Sequence, residues 1–406
     1  MSSLRNNSDC APQAFAICAN RQRHYQVTLN ENLLQTGMRQ LAENIGSRQA
    51  LIVTTPRVFR LYGSALQREL EALGCPVPML VLKCAERSKT MREVEYISSQ
   101  AYRHGLGRNS VLIGVGGGVC TDLVTMAASL VRRGIGHVRV PTTLIGQVDA
   151  GIGIKGAVNT PQKKSALGCF YAPEAVFIEP SFLKTLPFRH ISSGVAEIIK
   201  VALVCDKNLF CLLERHASQL VESRFSAPHD VSRAVVWGSV VGMLEELRGN
   251  LYEDQGYQRL MDFGHTFSPL LEVRSRFRLS HGEAVAIDMA LTIAMASQLG
   301  ALADDDRDRA LSLIVASSLP LTSELLTEAV CIDSFRQTTI HRGGALNFVL
   351  PTSLGRAEFV EHASEVPFSL LRSARTWLAS VERNRLSPAV RFSGPKSHGM
   401  GLRLTS

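Results

Sequence analysis

The sequence predicts an α/β domain followed by an all-α domain. The chain of 406 residues is 45% hydrophobic and 20% charged, which is enough apolar material for a sizeable core and enough length for more than one domain. Short β-rich runs alternate with helix-like segments up to about residue 180, and beyond it the β signal almost disappears. Alternating strands and helices indicate parallel βαβ units, and the long helical remainder indicates a second domain.

Four runs rich in aliphatic and β-branched residues predict the strands of the first domain, at 50–54, 79–82, 110–114 and 137–140. Helical apolar spacing over 57–73 and 90–104 separates them. Helices are predicted next over 192–204, 208–221, 231–247, 283–299 and 304–317, with one short strand at 345–350. We therefore expect an N-terminal extension over 1–20, an α/β domain over 21–186, a helical domain over 187–382 and a disordered basic tail over 383–406.

Composition argues against several classes of protein. The formal net charge is +8, but five basic residues and no acid follow Glu382, so the body of the chain is nearly balanced and a nucleic-acid partner is not expected. Nine scattered cysteines without a CxxC pair indicate reduced thiols in the cytoplasm. The N-terminal segment lacks an apolar run typical of secretion, and the apolar segment 284–301 contains Asp288, which favours a buried helix over a membrane span.

A glycine run, GVGGGVCTD over 114–122, follows a predicted strand and opens a predicted helix. Backbone amides and a helix N-terminus at such a position can bind a pyrophosphate. The run does not match GxGxxG, so a tight strand-to-helix turn explains it equally well. Asp122 is explained equally well as a first-turn acid that the helix dipole stabilises.

The segment 141–165 is rich in small residues and carries Asp149, Lys155, Lys163 and Lys164. It is typical of a loop whose backbone approaches a ligand, although a solvated lysine face is the alternative. Further on, GVAEIIK places two charges one helical turn apart in apolar surroundings, so they need buried partners.

Two histidines beside glycines, in DFGHTFSP and SHGEAV, could join a buried glutamate as ligands of Zn²⁺ with one position open for a substrate oxygen. The spacing is not that of HExxH. Each histidine taken singly is also explained as a hydrogen-bonded core or capping residue.

Taken in order, GVGGGVCTD, VPTTLIGQVDAGIGIK, KKSALG, SSGVAEIIK, DFGHTFSP and SHGEAVAIDM resemble the sugar phosphate cyclase superfamily, whose founding member is 3-dehydroquinate synthase. The resemblance extends over about residues 50–355. It implies a Rossmann-like NAD-binding domain, a dehydroquinate synthase-like α-helical domain that binds Zn²⁺ or Co²⁺, a small sugar phosphate bound between them, and a homodimer.

Site residues follow from the resemblance position by position. The implied metal ligands are Glu197, His265 and His281. The implied NAD contacts are Glu86, Lys89, Gly117, Gly118, Asp122, Thr142, Thr143, Lys164 and Thr185. The implied catalytic and substrate-binding residues are Asp149, Lys155, Lys200, Arg133, Lys163 and Asp262. The implied reaction is transient oxidation by NAD⁺, phosphate elimination, reduction by NADH, ring opening and intramolecular aldol closure.

Departures from dehydroquinate synthases indicate the branch. No lysine occurs between Asn208 and Pro395, Gln258 stands where an arginine is expected, and Asp262 replaces an asparagine. These changes predict a neutral sugar end in place of a carboxylate. The pattern resembles the cyclases of sedoheptulose 7-phosphate, and 2-epi-5-epi-valiolone synthase above all.

Several alternatives remain within and beyond this branch. Gly156 and Ser165 depart from the family pattern and leave open 2-epi-valiolone synthase, desmethyl-4-deoxygadusol synthase and 3-dehydroquinate synthase itself. A non-catalytic NAD-binding relative and an ordinary NAD-dependent alcohol dehydrogenase are the alternatives from other classes.

Overall fold

The computed structural model describes residues 17–18, 23–161 and 163–386. The described strands are β1 Gln26–Leu29, β2 Ala50–Thr54, β3 Met79–Val81, β4 Val111–Gly116, β5 Gly136–Pro141, β6 Lys155–Val158, β7 Leu167–Phe170, β8 Ala175–Ile178, β9 Phe348–Ser353 and β10 Arg356–Val360. The described helices are α1 Met38–Ile45, α2 Pro56–Val58, α3 Ser64–Ala72, α4 Met91–Arg103, α5 Gly118–Leu130, α6 Phe188–Val204, α7 Lys207–Glu222, α8 His229–Arg248, α9 Ser268–Arg274, α10 His281–Gln298, α11 Asp304–Ala316, α12 Glu328–His341 and α13 Phe368–Leu386.

The first half of the chain forms a parallel sheet of six strands in the order β1, β8, β5, β4, β2, β3. Every residue of β4 is buried, as expected for a central strand covered on both faces. Leu41 of α1 and Leu70 of α3 pack on one face, while Ile97 of α4 and Leu123 of α5 pack on the other. The strand order reverses between β2 and β4, and the carboxyl ends of strands at such a point form a crevice where ligands bind.

The second half of the chain surrounds two nearly fully buried helices, α6 and α10. The hairpin of β9 and β10 and the long helix α13 cover them. The predicted strand at 345–350 is therefore part of β9, and its partner β10 escaped the sequence pattern. Among the described residues, no helix is both long enough and apolar enough to cross a membrane.

The ends of the chain depart from the predicted domain limits in one respect. Helix α13 buries Leu371, Ala374 and Leu378 and continues to Leu386. The prediction of a disordered tail is therefore wrong for residues 383–386, because a helix anchored by its apolar face propagates past its last buried residue. Residues 387–406 and most of the predicted extension 1–20 lie outside the described residues.

Candidate active site

Three side chains with donor atoms that zinc prefers lie together in the helical half. Glu197 of α6, His265 in the turn before α9 and His281 at the start of α10 each place one ligand atom within 4.8 Å of the others. The His281 Nε2 atom is 3.0 Å from a Glu197 oxygen, and the centroids of the two imidazole rings are 5.4 Å apart. The fold thus brings together the three metal ligands that the resemblance implied.

The position of His281 depends on a close approach of two helices. A Cβ atom on Gly282 would lie 2.2 Å from the carbonyl oxygen of Ser193, so only glycine lets α10 begin this close to α6. The amide of Gly282 donates to the Ser193 hydroxyl at 2.8 Å, and Ser280 caps the helix. These contacts place His281 beside Glu197.

His265 is held by its own turn and by α10. Its Nδ1–H donates to the carbonyl of Phe263 at 3.1 Å, which leaves the Nε2 lone pair for a metal. The buried carboxyl of Asp288 in α10 accepts hydrogen bonds from the amides of Phe267 and Ser268, the latter at 2.8 Å. The metal-binding turn is therefore fastened to the central helix.

A buried lysine sets the charge state of this cluster. The Lys200 Nζ atom is 2.7 Å from Glu197 and 3.5 Å from Asp149. Burial disfavours the Lys200 ammonium, but the two carboxyl groups outweigh burial and raise its pKa. Burial also opposes ionisation of Glu197, but Lys200 and His281 hold the pKa of Glu197 well below its usual range. For Asp149 burial prevails over Lys200, and the pKa of that carboxyl is raised.

The two histidines differ in charge. Burial, reinforced by Lys200, lowers the pKa of His265 to about 4, so this ring is neutral at pH 7. Burial would also lower the pKa of His281, but Glu272 and Glu197 raise it to about 9. A metal at this site must therefore displace a proton from His281.

The cluster fits a divalent cation. Both oxygens of Glu197 are buried, and within the described part of the chain neither accepts a hydrogen bond of acceptable geometry. Ionised Glu197, neutral His265 and the imidazole of His281 are the carboxylate and nitrogen donors that Zn²⁺ binds, and three protein ligands leave a position open for substrate.

Asp149 reaches the cluster from the α/β half, on the turn Gly146–Ala150. The loop that follows is held by Arg139, a fully buried residue of β5. Its guanidinium donates to the carbonyls of Gly151 at 3.3 Å, Gly153 at 2.6 Å and Lys155 at 2.9 Å. Arg139 thus fixes the backbone that presents two of the predicted substrate residues.

The glycine turn lies where a dinucleotide is expected. Gly117 and Gly118 connect the carboxyl end of β4 to α5, whose first amides have no intrahelical partner. Lys89 and Asp122 form a buried ion pair of 2.5 Å beside this turn. Burial raises the pKa of Asp122, and Lys89 only partly offsets the rise. The other predicted cofactor residues on segments that follow strand carboxyl ends are Glu86, Thr142, Thr143 and Thr185.

A chain of alternating charges forms one wall of the site. Lys155 pairs with Glu253, Glu253 pairs with Arg259, and Asp262 pairs with Arg259 at 2.9 Å and with Arg342 at 3.0 Å. Burial would raise the pKa of Asp262, but the two arginines lower it below its ordinary value. The expectation that this region has lost its cations is therefore wrong: two arginines remain, and an acid neutralises them.

Other predicted residues lie apart from this wall. Arg133 is exposed beyond the last residue of α5, a helix of 13 residues whose length puts it about 20 Å from the glycine turn. Lys163 is exposed, and its backbone closes a turn with Thr160. Gln258 donates to Glu361 at 2.9 Å at the surface. In this chain the fold does not bring Arg133 to the metal cluster.

The sequence reasoning missed Glu272, Arg342 and Arg139. Glu272 is buried in α9 and bridges Lys164 at 2.6 Å and the His281 Nδ1 at 2.9 Å. Burial would raise the pKa of Glu272, but His281 and Lys164 lower it to about 2. Arg139 had a detectable signal, because a charge inside a strand of apolar residues needs buried partners.

Two departures from the family pattern have local consequences. A Cβ atom on Gly156 would lie 2.7 Å from the Cγ2 atom of Thr125, so α5 leaves no room for a side chain there. Ser165 has φ of +48°, in the left-handed region that asparagine tolerates better than serine. Its hydroxyl is 3.4 Å from the Lys89 ammonium.

Comparison with known families identifies the class of protein. Residues 79–193 match the 3-dehydroquinate synthase N-terminal model, and residues 194–337 match the 3-dehydroquinate synthase C-terminal model. The chain belongs to the 3-dehydroquinate synthase family.

Within this family the chain is similar to enzymes named 2-epi-5-epi-valiolone synthase. The relative from Actinomyces sp is 39% identical over 83% of this chain and 91% of its own length. The relative from Streptomyces glaucescens is 38% identical over 91% and 95%. The solved 2-epi-5-epi-valiolone synthase of Streptomyces hygroscopicus subsp. jinggangensis 5008, with NAD⁺ and Zn²⁺ bound, is 38% identical, with a TM-score of 0.86 over 90% of this chain and 100% of that one.

Proposed function

We propose that this protein is an NAD⁺- and zinc-dependent cyclase that converts sedoheptulose 7-phosphate into 2-epi-5-epi-valiolone and releases phosphate. The similarity to 2-epi-5-epi-valiolone synthases over most of the chain supports this assignment. The observation that carries it is the juxtaposition of Glu197, His265 and His281 with Lys200 and Asp149. This cluster joins the helical half to the half that contains the glycine turn.

The protein's own part in the reaction is positioning and electrostatics. When bound, the metal supplies Lewis acidity to a substrate hydroxyl, and NAD⁺ supplies a reversible hydride acceptor. Lys200 provides a buried positive charge beside the metal ligands, where negative charge develops on a substrate oxygen. Of the two carboxyls beside Lys200, only Asp149 has a raised pKa, so its Oδ atoms are the ones suited to hold a proton.

Phosphate recognition is assigned to the lysines of the segment 141–165. The Lys155 side chain is 58% exposed at the edge of the site, where it is free to turn from Glu253 towards a phosphate. Lys163 is exposed on the loop that follows β6. The eliminated phosphate itself is proposed to take the substrate proton, because leaving and acidic groups lie on the same molecule.

The charge chain around Asp262 supports a neutral sugar end. Its carboxylate neutralises Arg259 and Arg342, so neither arginine offers an unpaired positive charge to a substrate carboxylate. Asp262 itself accepts hydrogen bonds and repels anions, which favours a polyol.

The assignment is tested by the products of the purified protein. Protein supplied with NAD⁺ and Zn²⁺ or Co²⁺ should release phosphate from sedoheptulose 7-phosphate, with 2-epi-5-epi-valiolone identified by NMR and no net NADH. Turnover of 3-deoxy-arabino-heptulosonate 7-phosphate alone would assign the protein to 3-dehydroquinate synthases. Net NADH accumulation would indicate an alcohol dehydrogenase, and no turnover by fully metallated protein would indicate a non-catalytic relative.

A homodimer is proposed as the working assembly. The strand β1 is an edge of the six-stranded sheet, and Trp237 beside it is 40% exposed, so an apolar contact surface is present. Light scattering should give twice the chain mass of 44.3 kDa, and a monomer would contradict the proposal.

A further inference from the structure

Glu272 occupies a position between the two halves of the molecule. Its side chain is 5% exposed, and its two oxygens have different partners. One accepts from His281 Nδ1 at 2.9 Å, and the other pairs with the Lys164 ammonium at 2.6 Å. His281 belongs to the metal cluster, whereas Lys164 belongs to the loop between β6 and β7 of the α/β half.

The contact with His281 determines which nitrogen faces the metal cluster. Because Glu272 takes the Nδ1 proton, the Nε2 atom points towards Glu197 at 3.0 Å. A carboxylate behind a ligating histidine fixes the ring and increases its basicity. His265 differs in this respect, since its partner is the carbonyl of Phe263 in the same turn. Only His281 is oriented by a group that also contacts the other half.

The Lys164 loop is connected to the predicted cofactor residues. Asn159, at the start of the loop, donates to the Glu86 carboxylate at 2.8 Å and accepts from the Ser165 amide at 2.7 Å. The Ser165 hydroxyl lies near Lys89, which pairs with Asp122. Movement of this loop on cofactor binding therefore changes the distance between the Lys164 ammonium and Glu272.

We propose that Glu272 is a positioning residue that couples the two halves, so that docking of the Lys164 loop orients His281 and the divalent metal and NAD⁺ bind cooperatively. The inference rests on the cofactors of the proposed function and needs no particular substrate. Coupling of this kind is reciprocal and typically amounts to a factor of about 5–150.

The test measures Zn²⁺ affinity by competition with a chelator, without NAD⁺ and at NAD⁺ concentrations that saturate each variant. Saturation ensures that weaker cofactor binding alone does not imitate a loss of coupling. In the unmodified protein, NAD⁺ should tighten Zn²⁺ binding by at least about fivefold. Glu272→Gln should weaken Zn²⁺ binding by about 10–100-fold under both conditions.

Variants of the loop separate coupling from ligand orientation. Lys164→Met should leave Zn²⁺ affinity without NAD⁺ nearly unchanged and abolish the tightening, while Lys164→Arg should restore it. Lys163→Met is the matched control, because this neighbouring lysine is exposed and does not contact Glu272; it should keep the full tightening. Circular dichroism of each variant verifies the fold.

Two results would overturn the inference: Glu272→Gln with unchanged Zn²⁺ affinity, or Lys164→Met with the full NAD⁺ effect. Equal Zn²⁺ affinity with and without NAD⁺ in the unmodified protein would overturn it as well. Cooperative binding in a protein that does not turn over sedoheptulose 7-phosphate would leave the inference in place and remove the proposed substrate.

Discussion

Replacement of Asp288 by asparagine should remove a large pH dependence of folding stability. The carboxyl is fully buried in α10, and burial raises its pKa from 3.8 to about 7 despite hydrogen bonds from the amides of Ser268 and Phe267. A folded-state pKa above the unfolded one means that the folded protein holds a proton which the unfolded chain has lost. The stabilisation is therefore complete below about pH 4, falls as the pH rises to 7, and is absent above it.

The pKa difference sets the size of the effect. At about 1.4 kcal/mol for each tenfold change, the contribution lost between pH 4 and pH 7 is at most about 4 kcal/mol. Asparagine cannot ionise, so the free energy of unfolding of Asp288→Asn, relative to the unmodified protein, should rise by up to this amount over the same interval. Loss of other titrating groups cancels in the difference between the two proteins.

Denaturant unfolding at closely spaced pH values from 4 to 8 measures this difference. Thr292→Val is the matched control, since it removes the buried hydroxyl 3.5 Å from the same carboxyl without removing the ionisable group. This control should be less stable overall and should retain the pH slope of the unmodified protein. A pH-independent difference for Asp288→Asn would refute the assignment of a buried, protonated carboxyl.

Three further predictions concern the site. His265→Ala should lose bound metal and turnover together, because one of three protein ligands is removed; metal analysis of the purified variant that still shows one ion per chain would exclude His265 as a ligand. Lys200→Met should lower kcat by at least about 100-fold and leave NAD⁺ affinity nearly unchanged, as titration of the cofactor would show. Gly156→Thr should destabilise the fold by about 1–3 kcal/mol through its contact with Thr125, and Thr125→Ala in the same chain should restore part of the loss in thermal unfolding. Full stability of the single variant would contradict the close approach.

Much of the architecture could be predicted from the sequence, because it depends on local periodicity. The buried run at β4 and the glycines after it predicted a strand that leads into a helix, and the structure has both. The apolar surroundings of Glu197 and Lys200 predicted a buried helix with charges in need of partners, and α6 is that helix. The resemblance then supplied the metal ligands, whose identity needs only residue type and order.

The partners of the buried charges were decided by the tertiary structure. Glu272 lies 108 positions from Lys164, and Asp262 lies 80 positions from Arg342, so no local spacing connects either pair. Periodicity indicates that a charge is buried, but its counter-charge depends on how distant helices and loops pack. For the same reason the sequence pattern suggested a wall without cations, whereas the fold places Arg342 against Asp262 and neutralises the pair.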